Sequence, residues 1–161
     1  MAGIYLHIPF CKKACHYCDF HFSTNLKSEN LMLEAIKNEI ESREDFDFGE
    51  DEISSIYFGG GTPSVLDLVK VNSIIEKLEA SFNFKRSELK EITFESNPDD
   101  ISDDYLKGLK EIGINRLSLG VQSLNDKILK FLNRNHNSRQ SKEAIDLAIN
   151  TGFEHISLDF I

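Results

Sequence analysis

The sequence contains no uninterrupted run of about twenty apolar residues, the length that a helix needs to cross a lipid bilayer. Its apolar stretch at residues 4–10 is short, contains His7 and Pro9, and lacks the basic leader of a secretory signal peptide. Basic residues are scarce, since 18 Lys and Arg stand against 27 Asp and Glu and give a formal net charge of −9. Nucleic-acid binding relies on a basic surface. We therefore expect no membrane span, no nucleic-acid partner and a cytoplasmic location.

Cysteine is also rare, with three residues in the whole chain. An odd number of thiols, without any sign of an oxidising destination, makes disulfide bonds the weakest expectation. The P-loop pattern G-x-x-x-x-G-K-[ST] and the dinucleotide fingerprint G-x-G-x-x-G are both absent, so the glycine triplet at residues 59–61 indicates neither kind of nucleotide site. What the chain does have is a C-x3-C-x2-C motif at Cys11, Cys15 and Cys18.

Thiolates spaced so closely on one loop can converge on a soft metal centre at little entropic cost. The spacing alone leaves several interpretations open. A structural zinc ion needs four ligands, and His7, His16 or His21 could complete a Cys3His set. A [4Fe–4S] cluster normally takes four cysteines, so three would leave one iron without a protein ligand. Unrelated buried thiols are the third possibility.

The rest of the chain alternates strand and helix patterns, which predicts a parallel sheet with right-handed crossovers. Ser28, Thr62 and Ser102 are the predicted N-cap residues, with Pro63 at the first position of its helix. Residues 44–52 carry six acids among nine residues and are expected to form a solvated loop, not a metal site. The predicted strands are 4–8, 53–58, 91–95, 116–121 and 154 or 155–161, and the predicted helices are 29–43, 63–82, 103–113, 126–132 and 139–150.

Polar residues fall at the ends of successive strands. Glu95, Gln122 and Asp159 lie at or just past three of these ends, and the cysteine loop and the glycine triplet come directly after the first two strands. A (β/α) barrel builds its site at such positions along every strand, whereas a doubly wound sheet collects ligands at its switch point. The pattern therefore favours a barrel, although each side chain taken singly could simply be solvated.

Two strings carry a resemblance to a known family. Y-L-H-I-P-F-C runs into the cysteine motif, which has Tyr17 before its last cysteine, and F-G-G-G-T-P-S occurs at residues 58–64. Together they resemble the radical S-adenosylmethionine (SAM) superfamily, and within it the oxygen-independent coproporphyrinogen III oxidase group and the related heme chaperones. The resemblance covers essentially the whole chain. It implies a partial (β/α)6 barrel, with residues 1–161 an incomplete radical SAM core domain that stops before a sixth strand.

The resemblance also implies cofactors and their ligands. Cys11, Cys15 and Cys18 would hold a [4Fe–4S] cluster, and SAM would chelate the fourth iron through its amino and carboxylate groups. An electron from the reduced cluster would then cleave SAM to methionine and a 5′-deoxyadenosyl radical, chemistry that belongs to the cofactor. Of the remaining matched positions, Tyr5, Gly60 and Glu95 would contact this SAM, and Tyr17, Gly61, Thr62, Gln122, Arg134 and Asp159 would surround a second one.

Two of these residues have expected roles of their own. Glu95 would accept hydrogen bonds from the ribose of SAM, and Arg134 could pair with a SAM carboxylate in a charge-assisted bond. The alternative for Arg134 is an exposed arginine at a helix end. His7 is expected to be structural, His16 could face either way, and His136 and His155 are expected to be ordinary surface or core residues.

The branch of the family is indicated by the residues directly after the cysteine motif. The oxidases typically carry a further cysteine two residues after the last cluster cysteine, but Phe20 stands there in this chain. C-D-F at residues 18–20 resembles the heme chaperones, which bind heme and deliver it to haemoproteins. The oxidase, which converts two propionates of coproporphyrinogen III to vinyl groups, is the second candidate, and a structural zinc-binding module is the third. Expected partners are heme or a porphyrinogen, an electron donor and a heme-accepting protein, with heme binding expected only of a longer protein.

Overall fold

Five parallel strands lie side by side in the order in which they occur in the sequence. The computed structural model describes residues 1–49 and 51–161. A helical connection joins each strand to the next, which confirms the predicted α/β class with about five parallel strands and outer helices. The elements are β1 Ala2–Ile8, α1 Glu29–Ser42, β2 Ile53–Gly60, α2 Leu68–Phe82, β3 Glu91–Ser96, α3 Asp103–Glu111, β4 Arg116–Gln122, α4 Asp126–Phe131, α5 Ser138–Asn150 and β5 His155–Phe160.

The two faces of the sheet differ in polarity because successive side chains of a strand point to opposite faces. One face packs against the helices and carries the fully buried Phe58 and Phe94, whose ring centroids are 5.5 Å apart. The other face carries polar side chains such as Glu95 on β3 and Ser118 on β4, which line a cavity. Apolar residues therefore hold the sheet to its helices, while the opposite face is free to form a site.

The register brings the carboxyl ends of the strands to one edge of the sheet. Ile8 at the end of β1 pairs with Gly60 at the end of β2, and Leu119 of β4 pairs with Leu158 of β5. Since all the strands are parallel, the loops at their carboxyl ends meet at this edge. The cysteine loop, residues 11–23, is the first of these loops.

The start of α2 differs from the prediction. Thr62 and Pro63 begin only a short 3-10 turn, Pro63–Val65, after which Leu66 has an extended backbone and is buried. The helix itself begins at Leu68, and the Asp67 carboxylate caps it by accepting from Lys70 N at 2.9 Å. The prediction that Thr62 caps a continuous helix to Phe82 was therefore wrong.

Other boundary predictions have mixed outcomes. Ser102 caps α3 by accepting from Tyr105 N at 3.2 Å, and Gly113 comes after that helix with a positive φ of 96°, both as predicted. Ser28 precedes α1 but makes no side-chain capping bond, because it ends a 3-10 turn, Leu26–Ser28, so the prediction of a serine cap was wrong.

In the acidic segment, the described positions 44–49, 51 and 52 are not part of any strand or helix. Its acidic side chains in the described positions 44–49, 51 and 52 are all exposed, in keeping with a solvated loop, and Glu50 lies outside the described residues. No helix within residues 1–49 and 51–161 is both long enough and apolar enough to cross a membrane.

We expect the paired rings in the core to contribute strongly to stability. Phe94→Ala should lower the free energy of unfolding by about 3–5 kcal/mol, because it leaves a cavity beside Phe58. Phe131, which is 76% exposed, provides the matched control, and its replacement by alanine should cost less than about 1 kcal/mol. Urea denaturation of both variants measures the difference, and equal losses would contradict this description of the core.

Candidate functional site

A cavity of about 290 Å³ lies on the polar face of the sheet, at the carboxyl ends of the strands. Side chains from all five strands or the loops after them line it, so it depends on the whole sheet. Of the histidines considered as zinc ligands, His7 borders this cavity and His16 and His21 do not. Every residue that the family resemblance implies as a cluster ligand or SAM contact borders it: Tyr5, Cys11, Cys15, Tyr17, Cys18, Gly60, Gly61, Thr62, Glu95, Gln122, Arg134 and Asp159.

The cysteine loop is closed at its base by backbone bonds. Cys11 N donates to Ser23 O at 3.0 Å, and Ser23 N donates to Pro9 O at 2.8 Å. These two bonds hold the first and last residues of the loop next to each other. Gly61 packs directly against this base, and a Cβ atom at that position would lie 2.7 Å from Phe10 O. A glycine is therefore required at position 61 for the close approach of two loop backbones.

The three thiols are free and half-buried. Within residues 1–49 and 51–161, no three histidine, cysteine, aspartate or glutamate side chains converge closely enough to hold a single metal ion. His16 Nδ1 donates to Phe131 O at 2.8 Å, and His16 does not border the cavity that the thiols line. The side chains thus provide three sulfur donors around one cavity.

The hydroxyl of Thr62 contacts the first thiol. Its Oγ1 lies 3.4 Å from Cys11 Sγ and donates a hydrogen bond to it. Burial raises the pKa of Cys11, while this hydrogen bond opposes the increase by stabilising the thiolate. The contact also explains why Thr62 does not cap α2, since its side chain is directed towards the cysteine loop.

Arg134 brings a positive charge to the second thiol. Its Nη1 lies 3.4 Å from Cys15 Sγ and 3.2 Å from the hydroxyl of Tyr17. Its Nη2 donates to Asn97 Oδ1 and to Gly120 O, the latter at 2.8 Å. The interpretation of this residue as an exposed arginine at a helix end is therefore wrong.

Two further features describe the surroundings of Arg134 and Tyr17. The Nε atom of Arg134 is buried without a hydrogen-bond partner among the described residues. Burial raises the pKa of Tyr17 to about 12, although the guanidinium of Arg134 acts in the opposite direction. Tyr17 therefore remains a neutral phenol at physiological pH and can donate or accept a hydrogen bond.

Glu95 contributes a carboxylate to the cavity wall. Its Oε1 accepts a hydrogen bond from the hydroxyl of Tyr57 at 2.7 Å, and the ring of Tyr57 stacks on Tyr5 with centroids 5.8 Å apart. Burial raises the pKa of Glu95, whereas Tyr57 and the backbone of Gly60 lower it, and the charge of Asp159 raises it again. The carboxylate is thus held in one orientation by neighbouring aromatic residues.

The end of β4 is strained. Gln122 has a positive φ of 62°, a conformation that residues other than glycine rarely adopt, and the pairing with β5 is irregular between Leu119 and Gln122. Gln122 is nonetheless 9% exposed and borders the cavity. Strain of this kind is often found at functional sites.

Eight further residues border the cavity that were not predicted as cluster ligands or SAM contacts. Ser118 donates to Asp159 Oδ2 at 3.3 Å, and Asn97 contacts both Arg134 and Thr62. The two-residue period of β4, which places Ser118, Gly120 and Gln122 on one face, could have identified two of these residues. The full set is His7, Lys13, Phe20, Phe22, Ser96, Asn97, Ser118 and Gly120.

The curated proteins with similar sequences include heme chaperones and radical S-adenosyl methionine domain-containing proteins. The heme chaperone HemW of Bacillus subtilis (strain 168) is 36% identical over 162 residues, a match that covers 100% of this chain and 42% of the relative. The mitochondrial radical S-adenosyl methionine domain-containing protein 1 of Dictyostelium discoideum is 38% identical over 177 residues, covering 99% of this chain and 39% of the relative. The chain thus spans about two fifths of the length of these curated relatives.

Solved structures show the same fold. Coproporphyrinogen III oxidase (HemN) from Escherichia coli, a radical SAM enzyme, superposes with a TM-score of 0.87 at 30% identity, over 98% of this chain and 36% of that chain. The FeFe-hydrogenase maturase HydG from Carboxydothermus hydrogenoformans, at 19% identity and a TM-score of 0.62, shares the fold alone. The five strands and their helices therefore form the predicted partial radical SAM barrel. Because the profile of the radical SAM superfamily matches residues 5–161, nearly the entire chain, the chain belongs to that superfamily.

Proposed function

We propose that this chain binds a [4Fe–4S] cluster through Cys11, Cys15 and Cys18, and SAM in the adjoining cavity. The observation that carries the proposal is that all three free thiols border the same cavity as the family-matched residues of the strand ends. This arrangement places a metal-binding loop and a ligand-binding surface next to each other.

The donor set favours a cluster over a single zinc ion, because the three thiols border the cavity and His16 and His21 do not. A zinc site requires its sulfur and nitrogen ligands to lie about 2.0–2.3 Å from one point. A [4Fe–4S] cluster binds each thiolate to a different iron, so its ligands need not converge. The three cysteines fit the second requirement, since all of them border one cavity, and the hydrogen bond to Phe131 O occupies Nδ1 of His16.

When bound, the reduced cluster would supply the electron that cleaves SAM into methionine and a 5′-deoxyadenosyl radical. The protein would bind and orient the cofactor. Tyr5, Gly60 and Glu95 would contact the SAM next to the cluster, with the carboxylate of Glu95 accepting hydrogen bonds from ribose hydroxyls. Around a second SAM, the proposed contacts are Tyr17, Gly61, Thr62, Gln122, Arg134 and Asp159.

Arg134 would have two electrostatic effects. Its guanidinium lies 3.4 Å from Cys15 Sγ and so brings a positive charge next to a proposed cluster ligand. Its contacts with Asn97 and Gly120 hold it at the cavity wall, where a ligand carboxylate could form a charge-assisted hydrogen bond. A positive charge is useful at this point, because three thiolates and the carboxylates of Glu95 and Asp159 would otherwise repel an anionic ligand.

For a protein of the relatives' full length that contains this chain, we propose the function of a heme chaperone in heme and porphyrin metabolism. The support is the similarity to HemW and the C-D-F string at residues 18–20. Heme, an electron donor and a heme-accepting protein would be its partners, in the cytoplasm. The similarity to the Escherichia coli oxidase structure supports oxidative decarboxylation of coproporphyrinogen III as the second candidate. Incubating a reconstituted full-length protein with this porphyrinogen, SAM, a reductant and an electron acceptor separates the two, since only the oxidase releases carbon dioxide.

Anaerobic reconstitution with iron and sulfide tests the cluster. We expect about four irons and four sulfides per chain, and an electron paramagnetic resonance (EPR) signal of the reduced protein that changes when SAM is added. Cys15→Ala should lower the iron content to less than about one per chain, because a cluster with two protein ligands is not retained. Ser28→Ala is the control, since Ser28 makes no side-chain capping bond and lies outside the cavity.

Two outcomes would contradict the proposal. One is a wild-type protein that binds a single zinc ion tightly and assembles no cluster. The other is a Cys15→Ala variant that still assembles the cluster and cleaves SAM at the wild-type rate.

The orientation of Glu95 can be tested through its ionisation. Tyr57→Phe removes the hydroxyl that stabilises the charged carboxylate, so the pKa of Glu95 should rise further. Carbon-13 NMR titration of glutamate-labelled protein measures this pKa. Tyr5→Phe is the matched control, because the Tyr5 hydroxyl contacts His7 and not Glu95. A pKa that falls or stays the same in Tyr57→Phe would contradict the described hydrogen bond.

A further inference from the structure

The connection between β3 and α3, residues 97–102, contacts each of the other loops that border the cavity. Asn97 Nδ2 donates to Thr62 Oγ1 at 3.1 Å, which links it to the loop after β2. Asp99 Oδ2 accepts from Asn135 Nδ2 at 2.9 Å, which links it to the segment between α4 and α5. Asp100 forms an ion pair with Lys12, which lies in the cysteine loop. One short segment thus joins three loops that are far apart in sequence.

Asp100 is the most buried of these charged groups. Its side chain is 1% exposed, and each of its two carboxylate oxygens has a partner. Lys12 Nζ donates to Oδ1, and the hydroxyl of Ser64 donates to Oδ2. Ser64 is fixed in turn, because its oxygen accepts from Asn97 N at 3.2 Å. A carboxylate can be buried to this extent only when it is paired and hydrogen-bonded.

Lys12 is the ammonium partner of this carboxylate within residues 1–49 and 51–161, and it lies between Cys11 and Cys15. The later part of the cysteine loop is held separately: Asn133 Nδ2 donates to Ala14 O at 2.6 Å, and His16 N donates to Leu132 O at 3.1 Å. The ion pair with Asp100 therefore anchors the start of the stretch between the first two cysteines, at Lys12, whereas Asn133 holds its end at Ala14.

We propose that Asp100 is a positioning residue for the cysteine loop, whose buried carboxylate binds Lys12 and so fixes Cys11 relative to Cys15 before any metal is bound. The consequence for cluster assembly rests on the proposed function. The positioning itself is a property of the metal-free protein. An exposed ion pair would contribute little to such order, but loss of a partner here leaves a buried charge uncompensated.

Hydrogen–deuterium exchange of the metal-free protein, read by mass spectrometry over the peptide 11–20, measures the order of the loop. Asp100→Asn and Lys12→Met should each increase its exchange rate by about fivefold or more, since both remove the same contact. The double variant should exchange no faster than the single ones, because the two effects are not additive for partners in contact. Lys12→Arg keeps the positive charge and should restore slow exchange.

Asp103→Asn is the matched control. It makes the same chemical change three residues later, where Asp103 forms an exposed ion pair with Lys107 on α3. We expect wild-type exchange in the peptide 11–20 for this variant. Thermal unfolding of every variant identifies any general loss of folding, and Lys12→Met keeps the test decisive if Asp100→Asn fails to fold, because the Lys12 side chain is 44% exposed.

Anaerobic reconstitution of the same variants distinguishes the positioning role of Asp100 from its consequence for cluster assembly. If the wild-type protein assembles a cluster, Asp100→Asn and Lys12→Met should retain less than about half of its iron, and Asp103→Asn should retain all of it. If the wild-type protein assembles no cluster, the proposed function fails, while the exchange rates still decide the role of Asp100. Wild-type exchange of the loop in a folded Lys12→Met or Asp100→Asn variant would overturn the inference.

Discussion

The site depends on one electrostatic constraint: three cysteine thiols and two carboxylates border a single cavity and need compensating charge and hydrogen bonds. Arg134 supplies a positive charge beside Cys15, with its guanidinium held between Cys15, Asn97 and Gly120. Asn97 also donates a hydrogen bond to the hydroxyl of Thr62, and this hydroxyl contacts Cys11. These contacts connect loops from four different strands, so the positions of the thiols are a property of the whole sheet and not of the cysteine motif alone.

The parallel sheet makes this network possible. Residues 119 positions apart in the chain, Cys15 and Arg134, meet because the carboxyl ends of all five strands lie at one edge. The helices on the other face fix the strands through a close-packed apolar core, which includes Phe58 and Phe94. Packing and function are therefore divided between the two faces of the sheet, as the two-residue period of each strand allows.

Much of this could be predicted from the sequence, since local patterns carry it. The strands are indicated by apolar runs bounded by glycine and proline, and the cavity residues by polar side chains at strand ends and by two family motifs. The start of α2 could not be predicted in the same way, because Thr62 has the side chain of a good cap but uses it to contact Cys11. The pairing of Lys12 with Asp100 also has no local signal, as 88 positions separate the two residues.

Electron–nuclear double resonance spectroscopy of the reconstituted, reduced protein tests the central claim most directly, namely that three cysteines leave one iron open to SAM. The sample is prepared with SAM that carries nitrogen-15 in its amino group. Cluster binding by Cys11, Cys15 and Cys18 alone predicts a nitrogen-15 coupling to the cluster, which shows direct coordination of SAM. A reduced [4Fe–4S] cluster without such a coupling, in the presence of saturating SAM, would mean that the fourth iron has another ligand and would contradict the claim.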